Sequence, residues 1–368
     1  MNSNTNINNK KIISIAPGRI CLFGDHQDYL GLPIIACAIN RHIKLTAVEN
    51  GINIFNINMP DINEHRVIDI ENEINVLERG DHLLSAIRVL RRYRCIPNKG
   101  YDITIIGTIP INAGLSSSSA TVVSWINFLI HAFGVNVPFS QETIAQIAFE
   151  AEVLEHGAPG GRMDQFSIGL GNILYLETGE DFSYEVFHTP LKGLIIGESG
   201  IPKETIGLLT ALKEKVFLAI VKVKEHIRDF DIKDVKLNDI KTYLKYVPSE
   251  LHRYFIGAIT NHEITKKALL EFKKPKPDIE KIGVLMTEHH NVLKNLLNIT
   301  VPKIDTMIDA SLRAGAHGAK IVGSGGGGSI VAMAPPGKEL EIINAILSVG
   351  ALKAYEVTVD PGARIVKN

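Results

Sequence analysis

The chain has 368 residues, 45% of them hydrophobic and 21% charged, which is enough apolar material for two modest cores. With 39 Lys and Arg against 40 Asp and Glu its formal net charge is -1, so no overall basic field exists to hold nucleic acid or an anionic membrane surface. The 13 histidines show no zinc-type spacing: His262-Glu263 begins a metalloprotease-like pattern, but position 266 is lysine. Cys21, Cys37 and Cys95 are an odd number without framework spacing and read as buried or free thiols in a reducing compartment.

Met1 to Asn9 is rich in Asn, Ser and Thr, lacks the basic and apolar regions of a signal peptide, and reads as a disordered lead-in. No apolar run approaches the roughly 18 residues of a membrane span, so a soluble cytoplasmic protein is expected. Lys11 to Ala16 predicts a short buried strand. His42 to Glu49, Ile52 to Ile57 and Val67 to Ile70 predict β segments separated by Gly, Asn and Asp. Leu83 to Tyr93 has helical spacing and ends in arginines, as helix C-termini do. Tyr101 to Thr108 is a further strand, and Thr121 to Phe133 a buried helix. Ser140 caps another helix, running to about Leu154. Asn172 to Glu177 and Lys192 to Gly197 are strand-like. From Lys203 to Ala314 the chain is mostly helical, punctuated by Pro275, Pro277 and Pro302. Ala319 to Gly323 and Ser329 to Ala334 are strands around a glycine run, followed by a helix over Leu340 to Val349 and a closing strand over Leu352 to Val359. The pattern predicts two α+β domains, 10–190 and 191–368, with a site in the cleft between them.

Four stretches carry chemistry. The first, from Ala16 to Gly31, packs Arg19, Asp25, His26 and Asp28 into ten residues directly after an apolar run. Singly each would be a surface ion pair worth about 0–1 kcal/mol; together they suit a polar small molecule. The second, Pro110 to Ala120, carries Gly114, Leu115 and four serines, Ser116, Ser117, Ser118 and Ser119, between a predicted strand and a predicted helix. Backbone N–H groups and the helix dipole make such a start an anion site, with hydroxyls for phosphate or Mg²⁺. It is not a Walker A loop, and its plainer reading is a serine-capped helix. The third is Glu152 followed by Gly157 to Gln165, which brings a Gly/Pro bend and Asp164. Taken alone, Glu152 reads as a solvated helix residue. A kinase needs one carboxylate for Mg²⁺ and another by the acceptor hydroxyl. The fourth, Gly323 to Gly328, formally matches the dinucleotide fingerprint. A strand follows it instead of a helix, and no acid lies about 20 residues on, so its glycines are expected to let backbones approach closely.

These stretches resemble the GHMP small-molecule kinases, and within them the galactokinase branch. Pro17-Gly18-Arg19 with Gly24-Asp25-His26-Gln27-Asp28-Tyr29 and Gly31 is similar to the galactokinase signature. Gly114 to Ser118 is similar to the family's ATP phosphate loop, Gly161 to Gln165 to the galactokinase Gly-x-Met-Asp-Gln segment, and 323–328 to the third family motif. The resemblance implies a two-domain GHMP kinase fold with ATP and substrate in the cleft. It implies Asp164 as base with Arg19 as its electrostatic partner, and Gly114 to Ser119 on the ATP phosphates. Glu152 and Ser118 would hold Mg²⁺; Asp25, His26, Asp28 and the Gly161 backbone would contact sugar hydroxyls. The implied reaction is ATP-dependent phosphorylation of a monosaccharide, first the C1 hydroxyl of galactose, by a monomer or homodimer. Alternatives are a uronic acid, an N-acetylhexosamine, arabinose, fucose or a heptose phosphate, with a mevalonate-type acceptor or a catalytically inactive sugar sensor further off. Arg162, where the branch commonly has an apolar residue, is the cation that would admit a uronic acid. Asp25 and Cys21 depart from the branch's Glu and Asn, and 198–275 finds no match.

Overall fold

A computed structural model describes residues 11–203 and 206–366; the expected lead-in Met1 to Asn9 lies outside the described residues. Two β-sheets organise it. The first has eight strands: β1 (Lys11–Phe23), β2 (Ile34–Glu49), β3 (Ile54–Met59), β4 (Glu64–Asp69), β5 (Tyr101–Gly107), β6 (Ile173–Glu177), β7 (Ser183–Phe187) and β12 (Arg364–Val366). Their main path is β12-β1-β2-β5-β3-β4, and β6 and β7 branch from β2. The second sheet has the order β11-β8-β10-β9, formed by β8 (Leu194–Glu198), β9 (Gly318–Val322), β10 (Ser329–Met333) and β11 (Lys353–Val357). Every pairing is antiparallel except β3 with β5.

The first strand is longer than the sequence predicts. It continues past Ala16 to Phe23, so Arg19 stands on the strand. Pro17 lacks an N–H, and the ladder to β2 shifts register between Pro17 and Gly18; this bulge lets the strand run on. β2 likewise begins eight residues before the predicted His42. Its first half pairs β6 and its second half β5.

The helices are α1 (His82–Arg92), α2 (Ser117–Phe133), α3 (Gln141–Phe149), α4 (Met163–Leu170), α5 (Ile206–Lys224), α6 (Ile240–Leu244), α7 (His252–Phe272), α8 (Ile279–Asn295), α9 (Pro302–Arg313) and α10 (Glu339–Ser348). α2 is apolar around most of its circumference and is accordingly central, with Trp125 and Phe128 fully buried against Phe55 and Tyr101. It starts four residues before the predicted Thr121, placing three serines in its first turn. Ser140 caps α3 by accepting from the Thr143 N–H. α3 continues as a π turn over Glu150–Leu154, a widening that often marks functional positions and here carries Glu152. A separate apolar cluster unites Ile304, Met307, Ile342 and Ile346 of α9 and α10 with Ile195, Ile321 and Ile330 of the second sheet. No helix among the described residues is long and apolar enough to cross a membrane.

Candidate active site

Gly323 to Gly328 joins β9 to β10, and five of its glycines have positive φ. It meets the serine loop backbone to backbone: a Cβ on Gly114 would sit 2.6 Å from the Val322 carbonyl oxygen, and one on Gly328 would sit 3.0 Å from that of Ala113. Two cavities open beside this junction. One, of about 740 Å³, has apolar walls from Met59, Ile105, Ile109 and Leu352 and a floor of Gly114 to Ser118. The other, of about 260 Å³, is lined by Arg19, Asp25, His26, Asp28, Glu152, Gly161, Asp164 and Gln165 among others.

Arg19 and Asp164 come together from 145 residues apart. Arg19 Nε and Nη2 both lie 2.7 Å from Asp164 Oδ1, and Nη1 donates to the Gly114 carbonyl at 2.6 Å. Asp164 Oδ2 accepts from Ser116 Oγ at 2.7 Å. Burial would raise the Asp164 pKa, but the Arg19 charge and these hydrogen bonds hold it below the ordinary value. The Asp164 side chain is still 30% exposed against 5% for Arg19, so the carboxylate faces the cavity and the guanidinium stands behind it. Asp164, which the sequence shows only as following a Gly/Pro bend, lies in the first turn of α4.

Ser116 has left-handed backbone, φ 60° and ψ 46°, and gives no side-chain cap to α2. Its hydroxyl goes to Asp164 instead, so the serine-capped-helix reading fails and the N–H groups of the first turn of α2 remain for an anion. Glu152 accepts from Ser119 Oγ at 2.8 Å and from Gln165 Nε2 at 2.6 Å. Burial first and the Asp164 charge second push its pKa up to about 7, against these two hydrogen bonds and the Lys203 charge, which lower it. Ser119, more directly than Ser118, touches Glu152; Ser118 lines both cavities. No three His, Cys, Asp or Glu side chains among the described residues gather as a metal cluster.

Asp28 is pushed up to about 6 by burial and by Asp164. Its Oδ1 accepts the Tyr29 N–H at 2.9 Å, and a Cβ on Gly161 would overlap its carboxylate, which is why glycine stands there. His26 lies against the glycine loop, its Nε2 3.1 Å from the Ser324 carbonyl and its Nδ1 3.3 Å from the Tyr29 hydroxyl. Asp25 is 2% exposed and both its oxygens are engaged, Oδ2 by Lys320 Nζ at 2.7 Å and Oδ1 by the Gly323 N–H at 3.3 Å. Arg162 points away from the cavity: its guanidinium stacks between Phe149 and Phe182 and donates to Gln146 Oε1 at 3.1 Å. Lys203, which the sequence did not single out, lines both cavities, and burial lowers its pKa while Asp164 raises it. It lies in the stretch without a recognised motif, and a lone lysine after a proline carries no signal.

Models of known families match three parts of the chain: the GHMP kinases N terminal domain over 81–172, the GHMP kinases C terminal over 265–352, and the galactokinase galactose-binding signature over 4–47. The chain belongs to the GHMP kinase family. This makes it an ATP-dependent kinase. A galactokinase of Glaesserella parasuis is 29% identical over 379 residues, covering 95% of this kinase and 94% of the relative. A mevalonate kinase of Thermococcus sibiricus is 28% identical over 365 residues, covering 96% and 98%. Among solved structures, Lactococcus lactis galactokinase complexed with galactose superposes with a TM-score of 0.84 at 21% identity, over 96% of this kinase and 95% of that chain. Methanococcus jannaschii mevalonate kinase gives 0.70 at 22% identity, over 96% and 99%.

Proposed function

We propose that this kinase transfers the terminal phosphate of ATP to a hydroxyl of a neutral monosaccharide, with the C1 hydroxyl of galactose as the first candidate. The observation that carries this reading is the small cavity itself. Asp28 and Asp164 face it as acceptors for hydroxyl protons, and Asp164 is kept ionised by Arg19. Arg162, the cation that would have admitted a uronic acid, is held by two aromatic rings outside the cavity. Lys203 stands beside the phosphate loop, where it offsets phosphoryl charge. An anionic acceptor, sugar acid or mevalonate, would face two carboxylates with no cation of its own. Asp28 with His26 and the Gly161 backbone reads hydroxyls. Asp25, held by Lys320 and Gly323, fixes the glycine loop and His26 beside them.

Mg²⁺ fits the donor set. Glu152 and the Ser118 and Ser119 hydroxyls are all oxygen donors, and Glu152 is a half-buried carboxylate whose hydrogen-bond partners are neutral. Bound with ATP, the ion would neutralise phosphate charge. The protein's own groups then orient the reaction: Asp164 takes or orients the acceptor proton, and the first turn of α2 and Lys203 hold the phosphates.

The test is an ADP-release screen of purified protein over a panel of monosaccharides, their acids and phosphates, and mevalonate, with phosphorus NMR to locate the new phosphate. The reading expects turnover of neutral hexoses and a phosphate on C1. Turnover of acids or mevalonate alone would overturn it while leaving the kinase assignment intact.

A further inference from the structure

Three residues, His82, Ser118 and Lys203, line both cavities. A phosphoryl group moving from nucleotide to acceptor crosses that seam, so each of the three stands beside its path. Ser118 and Lys203 already have roles as hydroxyl and cation; His82 has none. It is the first residue of α1, directly after Asp81, which caps the helix by accepting the Leu84 N–H at 3.1 Å and is gripped by Arg66. His156, just beyond the π turn, packs edge-on against it, the ring centroids 4.9 Å apart and the planes at 89°. The Gly80 N–H donates to His156 Nδ1 at 3.4 Å, and His156 Nε2, like His82 Nδ1, is buried without a hydrogen-bond partner. The seam histidine is therefore fixed by a cap beneath it and a second ring beside it.

His82 Nδ1 is buried with no hydrogen-bond partner. An orphaned buried N–H is rarer and costlier than an under-used acceptor, so the ring carries its proton on Nε2. Burial and His156 hold its pKa below the ordinary histidine value, so the ring is neutral at pH 7. Nε2–H is then the donor left for a group in the cavities that His82 lines.

We propose that His82 is a further catalytic residue, its Nε2–H donating to an oxygen of the nucleotide's terminal phosphate at the seam, with His156 as the positioning residue behind it. The inference rests on the nucleotide and acceptor assignment of the two cavities, not on which acceptor is used. The direct test is equilibrium binding of ADP and of a non-hydrolysable ATP analogue, with Mg²⁺, to the full chain and its variants. In His82→Ala the preference for the triphosphate falls by about tenfold while ADP affinity holds, the lower range for a hydrogen bond to a charged acceptor. His82→Gln, whose amide nitrogen can reach the Nε2 position, recovers most of that preference. His82→Leu, which keeps the packing against His156, behaves like alanine and guards against a simple packing loss in α1. With an accepted substrate, kcat of the alanine and leucine variants falls by up to about 10²–10³-fold with the acceptor KM unchanged. An unchanged triphosphate preference in both Ala and Leu variants, or a glutamine variant no better than leucine, overturns the proposal. The binding arm needs no acceptor, so its result stands even if the sugar reading fails.

Discussion

Two carboxylates on neighbouring segments, Asp164 and Glu152, are pushed in opposite directions by their surroundings, and that divergence separates their roles. Arg19 holds Asp164 ionised at the cavity proposed for the acceptor, whereas Glu152 accepts from neutral donors and has its pKa up to about 7. Asp164→Asn is therefore expected to lower kcat by about 10²–10⁴-fold, with ATP binding retained, as steady-state kinetics and nucleotide titration would show. For Glu152 the sign follows from its raised pKa. An acid whose folded pKa lies above its unfolded one destabilises the fold in its ionised form, as pH rises through about 7. Glu152→Gln is expected to melt higher than the parent at pH 8 without ligands, and the gap to close at pH 4.5. Mg²⁺ should reverse the order in the presence of nucleotide, because only the carboxylate gains a counter-charge. Arg19 and Asp164 stand out in the sequence because charged groups cluster beside glycine bends, whereas Glu152 by itself reads as a solvated helix residue and enters only through the family resemblance. His82 and Lys203 do not stand out: each is a single polar residue at an element's edge, and only folding brings them to the seam.

At the scale of elements, the meeting of the two glycine loops is the feature most exposed to substitution. Gly114 has φ 84° and stands against the Val322 carbonyl, so Gly114→Ala combines backbone strain with overlap. The variant is expected to lose on the order of 1–3 kcal/mol in denaturant unfolding and to bind ATP more weakly, since the loop carrying the first turn of α2 must shift. The predicted helices and most strands were read correctly in kind, because apolar periodicity and caps such as Ser140 carry them. The misses have physical causes. Pro17-Gly18 looks like a strand end, yet a bulge absorbs it. β12 is three residues long, too short for a pattern, and is held by pairing with β1 from the far end of the chain. α4 follows a Gly/Pro bend that masks its start.

Across the whole molecule, one buried ion pair joins the opening motif to the second sheet. Lys320 on β9 is wholly buried and its Nζ reaches Asp25, the Cys21 carbonyl and the Ile321 carbonyl. Removing one partner of such a pair leaves an uncompensated buried charge. Lys320→Met is expected to cost about 3–5 kcal/mol in unfolding free energy, with part recovered by adding Asp25→Asn. A double variant as unstable as the single would show that Asp25 does not depend on Lys320. The same connection explains why position 25, legible in the sequence as a charged motif residue, could not be read as a strut: its partner lies 295 residues away. Both galactokinases and mevalonate kinases stand among the relatives at similar identity, so overall likeness does not choose the acceptor and the proposal for a neutral sugar rests on the small cavity. The most direct test of that proposal compares kcat/KM for galactose and for mevalonate on one preparation, with Mg²⁺ and ATP saturating. The account predicts turnover of galactose, a phosphate on C1 and negligible turnover of mevalonate. Efficient mevalonate phosphorylation with none of galactose or other neutral hexoses would contradict it.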